Sequence, residues 1–470
     1  MKRFFLVAVC WLLVTGPLAQ NISQKLQKGF QQFENDAQLK HAISSLYVID
    51  AKTGKVVFEK NSQIGLAPAS TQKIITSVTA FELLGKDYRY KTVIGSDTGI
   101  EKDTLQGNFY IVGAGDPTFG SQRWASTKDS NVLKKFVEIL KNKNVQNIKG
   151  DIWVDDIQFG INPLPEGWIW QDIGNYYGAG CWGINWNENK YDLILKPGMI
   201  VQGSPDVIKT IPRLYGSKIY SFLKAGEKES GDNAYIYSTP YNEVGFVTGT
   251  IPVSKNNFTI SGSMPHPAKQ FGYTLRKYLK DNGVSLTGNL KLYSDSVFEY
   301  KRVMKMMLVL DSIVSPSLDS IIYWFNKKSI NLYGEALIKT FAYEKQGFGS
   351  TDSGVAIVKD FWKQKGIDED ELNISDGSGL SPQNRVTTRA QVEILKYAKN
   401  RNWFPSFYNS LPEYNGMKIK SGTIKDVKGF CGYHKAKDGT DYIFSFLVNN
   451  YNGSASGLVN KMYKVLDALK

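Results

Sequence analysis

Ser70-Thr71-Gln72-Lys73 sets a hydroxyl and an amine three residues apart. In a helical backbone both lie on one face, within reach of each other. A serine hydroxyl is a weak nucleophile at neutral pH until a base takes its proton. A lysine amine serves as that base when burial and a nearby positive charge lower its proton affinity. The pair is a candidate serine–lysine acylation site, with Ser70 as nucleophile and a substantially neutral Lys73 as base. Such a site needs a second hydroxyl or amide, a cation with hydroxyls to hold a carboxylate, and two backbone N–H groups for the oxyanion. Ser329-Ile330-Asn331 offers the first and Lys420-Ser421-Gly422-Thr423 the second. On a strand, Ser421 and Thr423 share a face, and Gly422 lets a substrate approach the backbone closely. Other matches lack this context. Ser221 to Lys224 has no comparable helical continuity, Ser254-Lys255-Asn256 is a chance match, and Lys52-Thr53-Gly54 sits in a turn that needs its glycine.

The elements that must carry these groups are legible in outline. Ile74, Ile75, Val78, Phe81 and Leu84 make the apolar stripe of a helix opened by Pro68 and capped by Gly85. Residues 45–50 and 55–59 predict a β-hairpin. Residues 21–43 are polar with helical spacing. From about Tyr90 to Asp155 short strands alternate with turns. Gly113 to Asp116 reads as a structural bend, since no Gly-Lys-Ser/Thr follows it. Residues 167–190 are dense in aromatics, which either pack between domains or form one wall of a cleft. Strand-like, Gly-rich sequence follows to 265, then a helix over 271–279. Residues 306–310 predict a buried strand, 318–325, 332–343 and 355–362 helices, and 419–427 and 442–448 strands. The last helix, with Leu458, Val459, Met462, Val465, Leu466 and Leu469, is expected to pack on the sheet.

Composition narrows the classes of function. The 470 residues imply two or three domains. Lys2 and Arg3, the apolar run Phe4 to Val14 and the small Ala19 read as a signal peptide over 1–19, although Pro17 is not ideal beside a cleavage point. The run is short for a retained membrane anchor. Cys10 lacks the small neighbour of a lipoprotein site, so an exported, soluble mature protein is expected. Cys181 and Cys431 then remain, either bridged or free. His41, His266 and His434 are widely separated and show no metal-ligand spacing, which disfavours a metalloenzyme and a histidine-based triad. The net charge of +13 comes without a basic arm or nucleic-acid-binding motif. It suits an anionic wall or membrane surface, or simply reflects solvated lysines.

The order Ser-x-x-Lys, Ser-x-Asn, Lys-Ser/Thr-Gly is that of penicillin-recognising serine enzymes. The chain resembles the D-alanyl-D-alanine carboxypeptidase/endopeptidase family, the low-molecular-mass class C penicillin-binding proteins of the penicillin-binding protein 4 type. Family-like stretches at 84–90, 113–118, 167–172, 326–335 and 376–381 extend this over nearly the whole mature length. The resemblance implies an α/β penicillin-recognising serine transferase fold, a sheet flanked by helices. A large, mainly β insertion would follow the Ser70 helix and form two further domains. The stretch from Lys73 to Ser329 is indeed too long for one loop. Domain I would comprise 20–90 and 301–470, domain II 91–190 and 266–300, and domain III 191–265.

By resemblance, Ser70 is acylated, Lys73 is its base and Ser329 relays the proton to the leaving D-alanine. Asn331 binds the substrate amide, and Lys420, Ser421 and Thr423 hold the terminal carboxylate. The N–H groups of Ser70 and Thr423 form the oxyanion hole. Asp172 is the candidate for recognising the free amine of the peptide's diamino acid. Asp376 and Ser378 are expected to shape a loop. Ile330 and Ser421 depart from the residues most frequent at their positions. The implied partners are peptidoglycan peptides and β-lactam antibiotics as covalent inhibitors, with no cofactor, no metal and no nucleic acid. Peripheral association with the membrane or wall and the oligomeric state stay open. The alternatives are a β-lactamase-like hydrolase and a catalytically silent wall-binding protein.

Overall fold

The computed structural model describes residues 17–298 and 307–470. Most of the leader segment read from the sequence therefore lies outside the described residues.

The strand Asp441–Asn449 (DYIFSFLVN) is apolar on both faces, which requires cover on both sides. It is central to an antiparallel six-stranded sheet. The strand order is Val56–Lys60, Ile43–Asp50, Asp441–Asn449, Val427–Lys435, Met417–Ile424, Glu413–Tyr414. One face is covered by the helices Pro17–Glu34 and Ala455–Leu466, through Phe30, Phe33, Leu458 and Met462 against Phe446 and Phe444. The other face carries Lys73–Leu83, Leu318–Lys328, Asn331–Gln346 and Thr388–Lys399. Their shared core runs from Ile74 and Val78 to Phe325, Tyr333 and Leu395.

Two strands differ from the sequence reading. Instead of one strand over 419–427, the chain forms Met417–Ile424, turns, and returns as Val427–Lys435. Gly429 and Gly432 lower strand propensity there, but both are tightly placed. A Cβ on Gly429 would overlap Leu447 Cδ2 at 2.5 Å, and one on Gly432 would meet Ile419 Cα at 2.8 Å. The expected buried strand at 306–310 is instead Leu308–Val314, mostly exposed, at the edge of the insertion's sheet. It pairs with Lys91–Ser96, so the return to the six-stranded layer falls after 314 rather than at 301. Apolar residues alone did not distinguish an edge strand from a core one.

The insertion contains a five-stranded sheet, ordered Leu290–Leu292, Ile152–Asp155, Phe109–Val112, Lys91–Ser96, Leu308–Val314. The helices Asp129–Asn142 and Pro267–Asp281 share its core, through Phe136 and Phe271. A three-stranded sheet unites Lys190–Lys196 with Asp206–Ile211 and Phe258–Ser263. A four-stranded sheet is built on Val244–Pro252. Among the described residues no helix is long and apolar enough to cross a membrane.

Candidate active site

Ser70 lies in a 3-10 turn, Ala69–Gln72, that leads into the helix Lys73–Leu83. Ala69, fully buried, has a φ of +46°, a strained conformation for a residue with a side chain. The surroundings impose it. Thr71 Oγ1 donates to the Pro68 carbonyl at 2.7 Å and accepts from Gln391 Nε2 at 2.9 Å. A Cβ on Gly379 would run into the Ala69 carbonyl oxygen. One on Gly422 would sit 2.6 Å from Pro68 O and 2.9 Å from Ser70 N. Gly422 thus lets the strand lie against the nucleophile's own backbone. The sequence reading gave this close approach to the substrate; in the structure the backbone of Pro68 and Ser70 occupies the Cβ side of Gly422.

Lys73 is fully buried. Its Nζ lies 2.9 Å from Ser70 Oγ, 2.7 Å from Asn331 Oδ1 and 2.7 Å from the Ser378 carbonyl. Burial, reinforced by the positive charge of Lys420, pushes its proton affinity well below the ordinary lysine value, against the pull of Asp376 and Glu335. A neutral amine has two N–H donors and one lone pair. Two of the three neighbours, the Asn331 and Ser378 oxygens, only accept. The lone pair is then left for the Ser70 hydroxyl.

The helix Leu318–Lys328 ends at Ser329, which is left-handed (φ 56°, ψ 42°), and Asn331 opens the next helix. This turn brings both side chains to one side. Asn331 Nδ2 donates to the Tyr177 carbonyl at 2.8 Å, fixing which end of the amide faces Lys73. Lys420, nearly inaccessible on Met417–Ile424, donates to Ser329 Oγ at 3.0 Å and to Ser421 O at 2.9 Å. Burial, with a smaller contribution from Lys428, lowers its pKa to about 7. Among the described residues no carboxylate pairs with it. Ser421, half-buried, meets Lys420 through its carbonyl. Thr423 lines the cleft and accepts from Lys428 Nζ at 2.7 Å.

The cleft encloses about 900 Å³. Its lining includes Ser70, Ser329, Asn331 and Thr423 together with Ile169, Asp172, Tyr176, Tyr177 and Tyr235. Asp172 is half-buried, and burial raises its carboxyl despite a hydrogen bond from Tyr177. The aromatic segment therefore does both things expected of it. Tyr176 and Tyr177 line the cleft, while Trp182 and Trp186 are buried in packing.

Several supporting groups were absent from the candidate site residues. The Asp376 carboxylate accepts from Gly379 N, Ser381 N, Trp168 Nε1, Gln72 Nε2 and Asn384 Nδ2 at 2.7 to 3.0 Å, which fixes the loop carrying the Ser378 carbonyl. Glu335, one helical turn after Asn331, is fully buried and accepts from Gly377 N at 3.0 Å. Burial and the neighbouring Asp376 raise its pKa to about 8. Glu188 accepts from Arg123 Nε and Tyr333 Oη, both at 2.7 Å, which ties the insertion to the Asn331 helix. The loop-shaping role expected of Asp376 is the one it fills, and the spacing of Asn331 and Glu335 put those two on one helix face. Cys181 and Cys431 are free and buried in separate places. No group of residues that could hold a metal ion occurs among the described residues.

Over residues 26–413 the sequence matches the D-Ala-D-Ala carboxypeptidase 3 (S13) family. It is 25% identical over 464 residues to a D-alanyl-D-alanine carboxypeptidase of Actinomadura sp. (strain R39), covering 92% of this chain and 82% of that protein. It is 22% identical over 436 residues to the D-alanyl-D-alanine carboxypeptidase DacB of Haemophilus influenzae, covering 85% and 83%. The fold is similar to the crystal structure of penicillin binding protein 4 (dacB) from Haemophilus influenzae, with a TM-score of 0.78, 18% identity and coverage of 96% and 98%.

Proposed function

This chain belongs to the D-Ala-D-Ala carboxypeptidase 3 (S13) family, and from that premise we propose that it is an exported serine DD-peptidase acting on peptidoglycan stem peptides. It removes the terminal D-alanine, cleaves the D-Ala–diamino-acid cross-link, or both, because the same acyl group is transferred in each case. The observation that carries this reading is the Lys73 amine, 2.9 Å from Ser70 Oγ with two carbonyl-type oxygens already on it.

Lys73 takes the Ser70 proton as Oγ bonds to the penultimate D-Ala carbonyl carbon. The Ser70 and Thr423 N–H groups receive the oxyanion. The proton held by Lys73 passes by way of the Ser329 hydroxyl, which Lys420 holds in place by a hydrogen bond, to the departing amine, so Lys73 is neutral again as the C–N bond breaks. Water then attacks the ester and gives its proton to the neutral Lys73, which passes it to Ser70 Oγ as the acyl–oxygen bond breaks and the shortened stem leaves. Lys420, Ser421 and Thr423 hold the terminal carboxylate, Asn331 the substrate amide, and Asp172 the free amine of the diamino acid. A β-lactam acylates the same hydroxyl and blocks it. The net charge of +13 suits association of the exported protein with the anionic envelope.

Fluorescent penicillin tests this directly. Wild type is expected to take up label covalently, Ser70→Ala none, and Lys73→Met about 10³-fold more slowly. Mass analysis of digested wall fragments then separates trimming from cross-link cleavage. Wild type that takes no label and cleaves no D-Ala bond overturns the proposal.

A further inference from the structure

The four-stranded sheet of the insertion has one face turned inward, through Ile236, Val247 and Ile251. Strand alternation sends the next residues outward. A solvent-facing sheet surface is ordinarily polar, but here it is aromatic. Tyr237, Phe246 and Tyr220 lie directly opposite one another across three strands. Phe222, 66% exposed, extends the row, its ring 6.3 Å from that of Phe246. Phe246 stacks on Tyr237 at 5.1 Å, and Tyr237 meets the half-exposed Trp170 at 5.6 Å. Trp170 stands between Ile169 and Gln171, both of which line the catalytic cleft, and Tyr235, two residues from Tyr237 on the same face, lines it too.

An exposed, continuous aromatic ridge marks a binding surface, because isolated apolar residues, not connected ones, are normal on a protein surface. Its continuity with the cleft says what binds. The stem peptide that fills the cleft has its D-Ala bond at Ser70 and is attached to glycan at its other end. With the scissile bond at Ser70 and the diamino acid at Asp172, the roles proposed above, the stem runs from the nucleophile toward Trp170, two residues from Asp172, and so carries its glycan toward the ridge. Pyranose rings present apolar C–H faces between hydroxyls, a surface that the flat faces of aromatic rings match, with the Tyr237 and Trp170 polar tips left for the hydroxyls. We propose that the ridge Phe222–Phe246–Tyr237–Trp170 docks the glycan strand bearing the stem peptide. The protein would thereby favour polymeric wall over free peptide. This inference rests on the peptidase reading above.

The test uses the full chain and peptide-free glycan strands released from purified sacculi. Ser70→Ala protein is expected to co-sediment with the strands, and adding Phe222→Ser and Phe246→Ser weakens retention roughly tenfold or more. In an otherwise wild-type chain the same pair lowers release of products from intact sacculi by a similar factor. Hydrolysis of a free stem pentapeptide and penicillin labelling stay within about twofold. Phe222→Ser alone gives a smaller loss of the same kind if the double variant does not fold. The ridge proposal falls if the strands are not retained, if the variants retain them equally, or if the ridge binds only lipid vesicles. Normal labelling and free-peptide hydrolysis in those cases leave the peptidase reading intact. Loss of both in wild type would overturn that reading instead.

Discussion

Lys420 is nearly inaccessible and unpaired with any carboxylate among the described residues, so the folded protein keeps an unfavourable amine in place. Its pKa falls from 10.5 to about 7. At pH 7 the unfolded chain holds this proton fully and the folded chain about half the time. The difference destabilises the fold by about 4 kcal/mol. Lys420→Met keeps the stem volume but loses the hydrogen bonds to Ser329 Oγ and Ser421 O, about 1 kcal/mol each. The variant is therefore expected to be more stable by about 2 kcal/mol at pH 7 while losing most carboxylate-dependent activity. The sign depends on pH. Between pH 7 and 10.5 the unfolded state binds more protons than the folded one, so the wild type gains stability as pH rises. Near pH 10 the order should reverse by about 1 kcal/mol. Urea unfolding of both proteins at the two pH values reads this directly. A stability difference that does not change with pH would refute the reasoning. A ligand carboxylate at the same amine should raise its proton affinity. Binding near pH 7 should then take up about half a proton, measurable from binding heats in buffers of different ionisation enthalpy.

Three further outcomes are expected. Gly422→Ala places a methyl 2.6 Å from Pro68 O and 2.9 Å from Ser70 N, so penicillin acylation should fall about 100-fold, with about 1–3 kcal/mol lost in urea unfolding. Glu335 ionises as pH rises through about 8, placing negative charge near Lys73 that favours the ammonium form. Wild-type acylation should therefore decline above that pH, and Glu335→Gln should remove the alkaline limb; an unchanged profile would exclude the coupling. Asp172→Asn should lower kcat/KM about tenfold on stem peptides with a free diamino-acid amine and leave N-acetylated peptides unaffected.

The sequence determined the parts of this protein that depend on local physics. The spacing of Ile74, Ile75, Val78 and Phe81 fixed a helix, and a hydroxyl and an amine three residues apart at its start came within contact as that geometry dictates. The hairpin at 43–60, the turn at Gly54 and the break between two helices at Ser329 were equally readable, because each is set by neighbours along the chain. The tertiary structure alone decided the rest. That Gly422 faces the backbone of Pro68 and Ser70, and that Ser378 supplies a carbonyl to Lys73, depends on segments hundreds of residues apart in the chain. The same holds for the depth at which Lys420 and Glu335 are buried and for the aromatic ridge. Proton affinity follows desolvation and nearby charge, and both are properties of packing that no local spacing encodes.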